Sequence, residues 1–223
     1  SCHPSHNRFE IIVMNHFKKV LLSTVVVIVS LANAGSFDDF FIAIRNDNAG
    51  TVSELLARGF DPNTRNEKGQ PGLAIAMQEQ SLKAARALLA QPGIDVNALN
   101  QAGESALMLA ALKGEVVGVQ LLLERGAKVN QPGWSPLHYA ATGPEPTLVQ
   151  LLLQRGAAIN AEAPNGSTPL MMAAQYGSED SVKLLLVAGA DVKRRNGRGL
   201  MAADFARMSG REGLTKQLEA LQR

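Results

Sequence analysis

Apolar residues in this chain come in short bursts at helical spacing, and the bursts alternate between two kinds. One kind is leucine-rich and runs into Gly: LLARG from Leu55, LLAQPG from Leu88, LLERG from Leu122, LLQRG from Leu152 and LLVAG from Leu185. Val182, Leu185 and Leu186 show its spacing, which places them on one face of an amphipathic helix. The other kind is alanine-rich and follows a turn: GQPGLAIAM from Gly69, GESALMLAA from Gly103, GWSPLHYAA from Gly133, GSTPLMMAA from Gly166 and GLMAADFAR from Gly199. Asp, Asn, Gly and Pro, all turn formers, fill the gaps between bursts. The pattern predicts a short helix, a tight turn, a second short helix and a longer turn, several times over.

The bursts keep a period. Gly59, Gly93, Gly126, Gly156 and Gly189 are 34, 33, 30 and 33 residues apart. Gly69, Gly103, Gly133, Gly166 and Gly199 are 34, 30, 33 and 33 apart. Two ladders that drift together mark a repeat array. Thr168 is placed to cap a helix that begins at Pro169, where a missing N–H costs nothing. Gly189 is placed to end the second helix in a left-handed conformation. A single unit of this kind cannot bury its own apolar face, so stacking must supply the core.

Thr168, Pro169, Leu170, Ala173, Ala174, Gly177, Val182, Leu185, Leu186, Gly189 and Ala190 follow the motif T-P-L-x-x-A-A…G…V-x-x-LL-x-x-GA, and Pro136, Leu137, His138 and Ala140 follow P-L-H-x-A. In these residues the chain resembles the ankyrin-repeat family, over about 36–223. The resemblance implies an all-α solenoid of helix-turn-helix units with short β-hairpin fingers. Six units fit: 36–65 as an N-terminal cap, then 66–99, 100–129, 130–162 and 163–195, and 196–223 as a C-terminal cap. Phe37, Phe40 and Phe41 set the first apart, and the polar-faced REGLTKQLEALQR the last.

One joint is short. From Asn97 to Gly103, and from Asn160 to Gly166, the interval is six residues; from Asn130 to Gly133 it is three. The finger of the 130–162 repeat has lost three residues, and Trp134, the single tryptophan, sits at the cut. Exposed Trp is favoured at binding hot spots; the competing expectation is that it folds down as a plug. The resemblance implies that finger tips and inner-helix ends face a partner. On that register the candidate contact residues are Trp134, Tyr176, Gln175, Asn165, Thr142, Leu112, Lys113, Gln101, Glu104, Gln78, Glu79 and Arg198, with Ser167 beside Asn165. Tyr139 shares its register with Leu109 and Met172 and is expected in the core.

Composition refines this picture in one place. The stretch from Met14 to Ala34 has Lys18 and Lys19, then an uncharged run from Val20 to Leu31, then Ala32-Asn33-Ala34. That is the order of a cleavable secretory signal over 14–34, with cleavage between Ala34 and Gly35. The run is shorter than the roughly 20 residues a membrane span needs, so the membrane is expected to matter only during export. Residues 1–13 read as a dispensable extension; they hold Cys2, the only cysteine, with His3 and His6. From Gly35 onward acids and bases are equal in number, which gives no support to nucleic-acid binding. Lys193, Arg194, Arg195, Arg198, Arg207 and Arg211 do crowd the last repeats, where a solvated face is the expected explanation.

No catalytic, cofactor or metal site is expected. No phosphate loop, dinucleotide fingerprint or nucleophile elbow occurs. His138 has no second ligand near it in sequence and reads as a brace between helix starts. Asp38-Asp39 and Glu179-Asp180 suit helix N-termini. The functional expectation is a monomeric, non-enzymatic protein-binding module in the periplasm, serving as adaptor, accessory or immunity protein. The alternatives are a secreted effector and, further off, a small-ligand binder or enzyme using the notch at Trp134.

Overall fold

The structure is a computed structural model that describes residues 35–223. The expected extension and the expected secretory signal, with Cys2, His3, His6 and Ala34, lie outside the described residues. The chain divides into two compact units, one ending at Ile42 and one running from Ala43 to Arg223. Helix α1 covers residues 35–45. Within its first part the Phe37 and Phe41 rings meet edge to face at 5.0 Å, and Phe40 and Phe41 at 5.2 Å.

The second unit carries α2 (Ala49–Ala57), α3 (Gly72–Gln78), α4 (Leu82–Leu89), α5 (Ala106–Lys113), α6 (Val116–Glu124), α7 (Pro136–Thr142), α8 (Pro146–Gln154), α9 (Pro169–Tyr176), α10 (Glu179–Val187), α11 (Ala202–Met208) and α12 (Glu212–Leu221). Helices α3, α5, α7, α9 and α11 pack side by side as an inner layer, and each also packs on the outer helix that follows it. The expected all-α repeat fold is what forms. Among the described residues no β-strand forms: the fingers reach only isolated antiparallel bridges, Arg65 with Pro71 and Leu99 with Ser105.

Residue choice explains the layers. The inner helices meet through alanine: Ala76, Ala110, Ala140, Ala141, Ala173 and Ala174 are fully or almost fully buried. Leu122, Leu148, Leu152 and Leu185 fill the space behind them. Each such leucine contributes about 1.5–3 kcal/mol by leaving water. The inner helices approach so closely that two C-caps must be glycine. A Cβ on Gly143 would lie 2.7 Å from the Ala111 carbonyl oxygen, and one on Gly177 only 2.1 Å from that of Ala141.

Successive repeats are stapled by asparagine. Asn130 donates through Nδ2 to the Gly156 carbonyl and accepts the Ala158 N–H at Oδ1, both at 2.8 Å. Asn63 makes the same pair with Gly93 and Asp95, and Asn97 with Gly126 and Lys128. Asn160 accepts from the Asp191 N–H. A second rule shapes each full finger. The N–H of Asn66 donates to Gln70, that of Asn100 to Glu104, that of Ala163 to Ser167 and that of Asn196 to Leu200. The glycine in each of these loops takes positive φ, for example 78° at Gly103.

Two positions depart from the repeat pattern. Gly93 belongs to the glycine ladder by sequence but not by conformation, because it lacks the positive φ of Gly126, Gly156 and Gly189. Pro92 displaces it by one residue, and the Arg125 guanidinium caps the Leu89 carbonyl at the end of α4 instead. In the basic C-terminal region Lys193, Arg194, Arg195, Arg198 and Arg207 are exposed, as a solvated face requires, but Arg211 is half-buried. Arg211 donates to the carbonyls of Ala173, Ala174 and Gly177 at 2.9–3.0 Å and so caps α9 from the following repeat. Arg207 pairs with Asp204 and Glu219, Arg194 with Glu162 and Asp191, and Arg195 donates to the Gly199 carbonyl.

Two glycine substitutions separate these constraints. Gly177→Ala forces a Cβ into the Ala141 backbone and is expected to cost about 1–3 kcal/mol. Gly213→Ala, inside α12 with nothing within 4 Å of its Cβ position, is expected to stabilise by up to about 1 kcal/mol through helix propensity. Urea denaturation of both variants checks the pair; equal effects would refute the close-approach account.

Candidate functional site: an apolar pocket at the short finger

The short finger cannot close as the others do. Only Gln131, Pro132 and Gly133 stand between Asn130 and Trp134, and Pro132 has no N–H to give. The Gln131 side chain takes over, with Nε2 donating to the Trp134 carbonyl at 3.1 Å and to the Gly103 carbonyl of the preceding finger at 3.2 Å. Trp134 is held at the base of this bend, half-buried, with its ring edge-on to His138 at 5.3 Å.

His138 is the brace that its sequence position suggests. It occupies the third position of α7, where α5 has Met108, α9 has Met171 and α11 has Asp204. Each of these side chains accepts the N–H of its own cap residue. The His138 Nδ1 accepts from the Ser135 N–H at 3.1 Å and pairs with the Ser135 hydroxyl at 2.8 Å. Because Nδ1 accepts, Nε2 carries the proton and donates to the Ser167 carbonyl at 2.9 Å. The ring is 1% exposed, and burial lowers its pKa below the ordinary 6.5, against the opposing pull of the Ser167 and Ala161 carbonyls.

A depression of about 240 Å³ opens beside this brace, lined by Leu112, Trp134, His138, Tyr139, Thr142 and Met172. Its walls come from α5, α7 and α9 and from the short finger. Leu112, Trp134 and Thr142 were expected contact residues, and the structure brings these three together. Tyr139 and Met172 were assigned to the core, and that assignment is wrong. In their register column Ile75 is 3% and Leu109 7% exposed, but Tyr139 and Met172 are half-buried and face the pocket. The short finger leaves this part of the column less covered. The Tyr139 hydroxyl donates to Glu104 Oε1 at 2.8 Å, and burial together with that carboxylate raises its pKa. A tyrosine among aliphatics, directly after the cut finger, was the signal available in the sequence.

The remaining expected residues scatter around the pocket. Glu104 is half-buried and fixed by Tyr139 and by the Asn100 Nδ2 at 2.8 Å. Gln101 and Lys113 are exposed; the Gln101 side chain lies over Gly69. Gln175 is half-buried, and Tyr176 beside it is 60% exposed. Gln78 and Glu79 touch each other at the end of α3. Asn165 and Arg198 are exposed on their finger tips. Ser167 is not a surface residue: it is 1% exposed, its carbonyl is taken by His138, and its hydroxyl lacks a hydrogen-bond partner.

The pocket's polar groups, the Trp134 indole N–H apart, are already committed. Thr142 Oγ1 donates to the His138 carbonyl at 2.9 Å, Tyr139 to Glu104, and both His138 nitrogens are used. Among the described residues no group of three His, Cys, Asp or Glu could hold a metal ion, and no helix is long and apolar enough to cross a membrane.

Comparison with known proteins places this geometry. A family model described as ankyrin repeats (3 copies) matches residues 40–132 and 128–196. The chain is 30% identical over 167 residues to a putative palmitoyltransferase, ZDHHC13, of Danio rerio, a match covering 74% of this chain and 21% of that protein. It is 34% identical over 144 residues to the ankyrin repeat and SAM domain-containing protein 6 of Mus musculus, covering 65% and 13%. It is also similar to the human transient receptor potential cation channel subfamily A member 1, at 34% over 86 residues, covering 39% and 8%. The chain thus spans about a fifth or less of the length of these curated relatives.

The brace makes stability depend on pH. The unfolded imidazole takes up a proton near pH 6.5, and the folded one only at lower pH. The unfolded state therefore binds more protons below pH 6.5, and stability falls as pH drops through that value. Denaturation midpoints measured from pH 7.5 to 5 are expected to decline more in the wild type than in His138→Gln. Parallel declines would show that His138 is not the titrating group.

Proposed function

We propose, from the premise that this chain belongs to the ankyrin-repeat family, that it binds a partner protein on its inner-helix face around Trp134 and Tyr176. Ankyrin repeats are a protein–protein interaction module, and a non-enzymatic binding role is the one such an array serves. The single observation that carries the reading is the short finger: it uncovers a tryptophan-walled apolar depression on a face that is otherwise of mixed polarity. An array whose helices are fixed by neighbouring repeats has little ordering entropy to lose on binding.

The location is part of the proposal. The order of Lys18, Lys19, the apolar run and Ala32-Asn33-Ala34 supports export with cleavage after Ala34. On this reading the protein acts in the periplasm as an adaptor, accessory or immunity protein. An N-terminal mass beginning at Gly35 would support cleavage, and recovery from the medium without lysis would favour a secreted effector instead.

Binding is tested by immobilising the full chain beside a Trp134→Ala/Tyr176→Ala variant and identifying what each retains from the producing cell's extract. A protein held by the wild type and lost by the variant is the expected outcome. Equal retention by both, or retention by neither, overturns binding on this face.

A further inference from the structure

The pocket says more about its occupant than that it is a protein. We infer that it is the anchor site for one large aliphatic or aromatic side chain of a partner segment, with a basic residue of that segment next to the anchor and held by Glu104. The inference rests on the proposed protein-binding face and specifies its chemistry.

Four observations converge. First, the Trp134 indole N–H is the one donor of the lining that no hydrogen bond within the described residues takes up. Thr142 Oγ1, the Tyr139 hydroxyl and His138 Nε2 each donate to a fixed protein acceptor. A polar metabolite could pair one acceptor with the indole but would have to break one of these bonds or leave its other acceptors unpaired, at a cost of about 1–3 kcal/mol each. An apolar side chain makes no such demand. Second, the volume of about 240 Å³ exceeds what a single methyl or isopropyl group fills and leaves room for a leucine, methionine or phenylalanine side chain. Third, α7 does not overhang the opening. Where α5 carries Lys113 and α9 carries Tyr176, α7 has already ended at Thr142 and Gly143 follows.

The fourth observation is charge. Glu104 stands at the finger end of the pocket, with its carboxylate hydrogen-bonded to Tyr139 and Asn100 and in no ion pair among the described residues. Those two bonds aim the carboxylate and leave acceptor capacity on both oxygens. Lys113 lies beyond Leu112 at the opposite end, as the last residue of α5. The cation of the incoming segment therefore belongs at the finger end, against Glu104, and not at the helix end. Tyr176, 60% exposed, and Met208, 58% exposed, continue an apolar path along the later inner helices, which a segment longer than the anchor would follow.

The test is selection of phage-displayed random peptides on the full chain, followed by titration of Trp134 fluorescence with the synthetic form of the most enriched peptide. Trp134 is the only tryptophan, so its emission reports the pocket alone. The expected sequences carry Leu, Met or Phe next to Arg or Lys, and binding shifts the Trp134 emission. Thr142→Phe, which fills the pocket from its rim, is expected to weaken binding about tenfold or more. Glu104→Gln is expected to erase the preference for the basic neighbour while leaving the apolar one. Thermal unfolding of both variants reports whether they fold, and the wild-type fluorescence titration stands even where a variant does not. Peptides that bind without moving Trp134 emission overturn the anchor site but leave protein binding on the inner face standing. Enriched peptides with acidic neighbours overturn the role of Glu104. Failure to enrich any peptide overturns the anchor inference, and the capture experiment then decides separately whether the face binds a folded protein.

Discussion

Asn63, Asn97, Asn130 and Asn160 reach from one repeat into the next, and the order of the array hangs on what they hold. Each outer helix ends by turning through a glycine-containing bend, and that bend leaves a backbone carbonyl and an N–H pointing along the stack. A side-chain amide can satisfy both at once, its oxygen accepting and its nitrogen donating. With the amides in place the leucines of neighbouring outer helices and the alanines of neighbouring inner helices are brought into register. The hydrophobic burial then supplies the bulk of the stability, while the asparagines fix the alignment in which it is gained. Gly143 and Gly177 mark how tight that alignment is, since neither has room for a methyl group.

The short finger is tolerated because it lies downstream of this staple. Asn130 is present, so the bend of the following repeat is held as firmly as elsewhere. What is lost is the local closure that the full fingers make with their own backbone. Gln131 replaces it with one side chain that spans two fingers, and the space once covered by three residues becomes the rim of a pocket. Loss of loop residues thus changes the surface of the array without loosening its core, which is how a stack of nearly equal units acquires one distinctive place.

His138 ties that place to the scaffold. Where neighbouring repeats use a methionine sulfur or a carboxylate to accept the cap N–H, an imidazole does the same and has a second nitrogen left over. That nitrogen reaches the Ser167 carbonyl, so the pocket floor joins two repeats through one ring. Burial keeps the ring neutral, and neutrality is what allows it to accept on one side and donate on the other. Trp134 leans its edge on the same ring. The wall and the floor of the pocket are in this way held by packing rather than by the finger that is missing.

The period, the helix pairs, the capping by Thr168, the missing three residues and the place of Trp134 at the cut were all legible in the sequence. Each follows from local chemistry: helical spacing of apolar residues, the demand of helix ends for caps, and the need for glycine at positive φ. What the sequence could not decide was which side chains cover which. Tyr139 and Leu109 share a register column, but only a neighbouring finger of a given length determines whether that column is sealed. Ser167 and Trp134 also share a column, and one turns inward while the other walls a pocket. Arg211 looked like part of a solvated basic face, yet it caps α9 across a repeat boundary. The sequence by itself determined the repeat and the place of its defect, because those depend on neighbours along the chain. The tertiary structure alone decided the pocket, because exposure depends on residues about thirty positions away that stacking brings alongside.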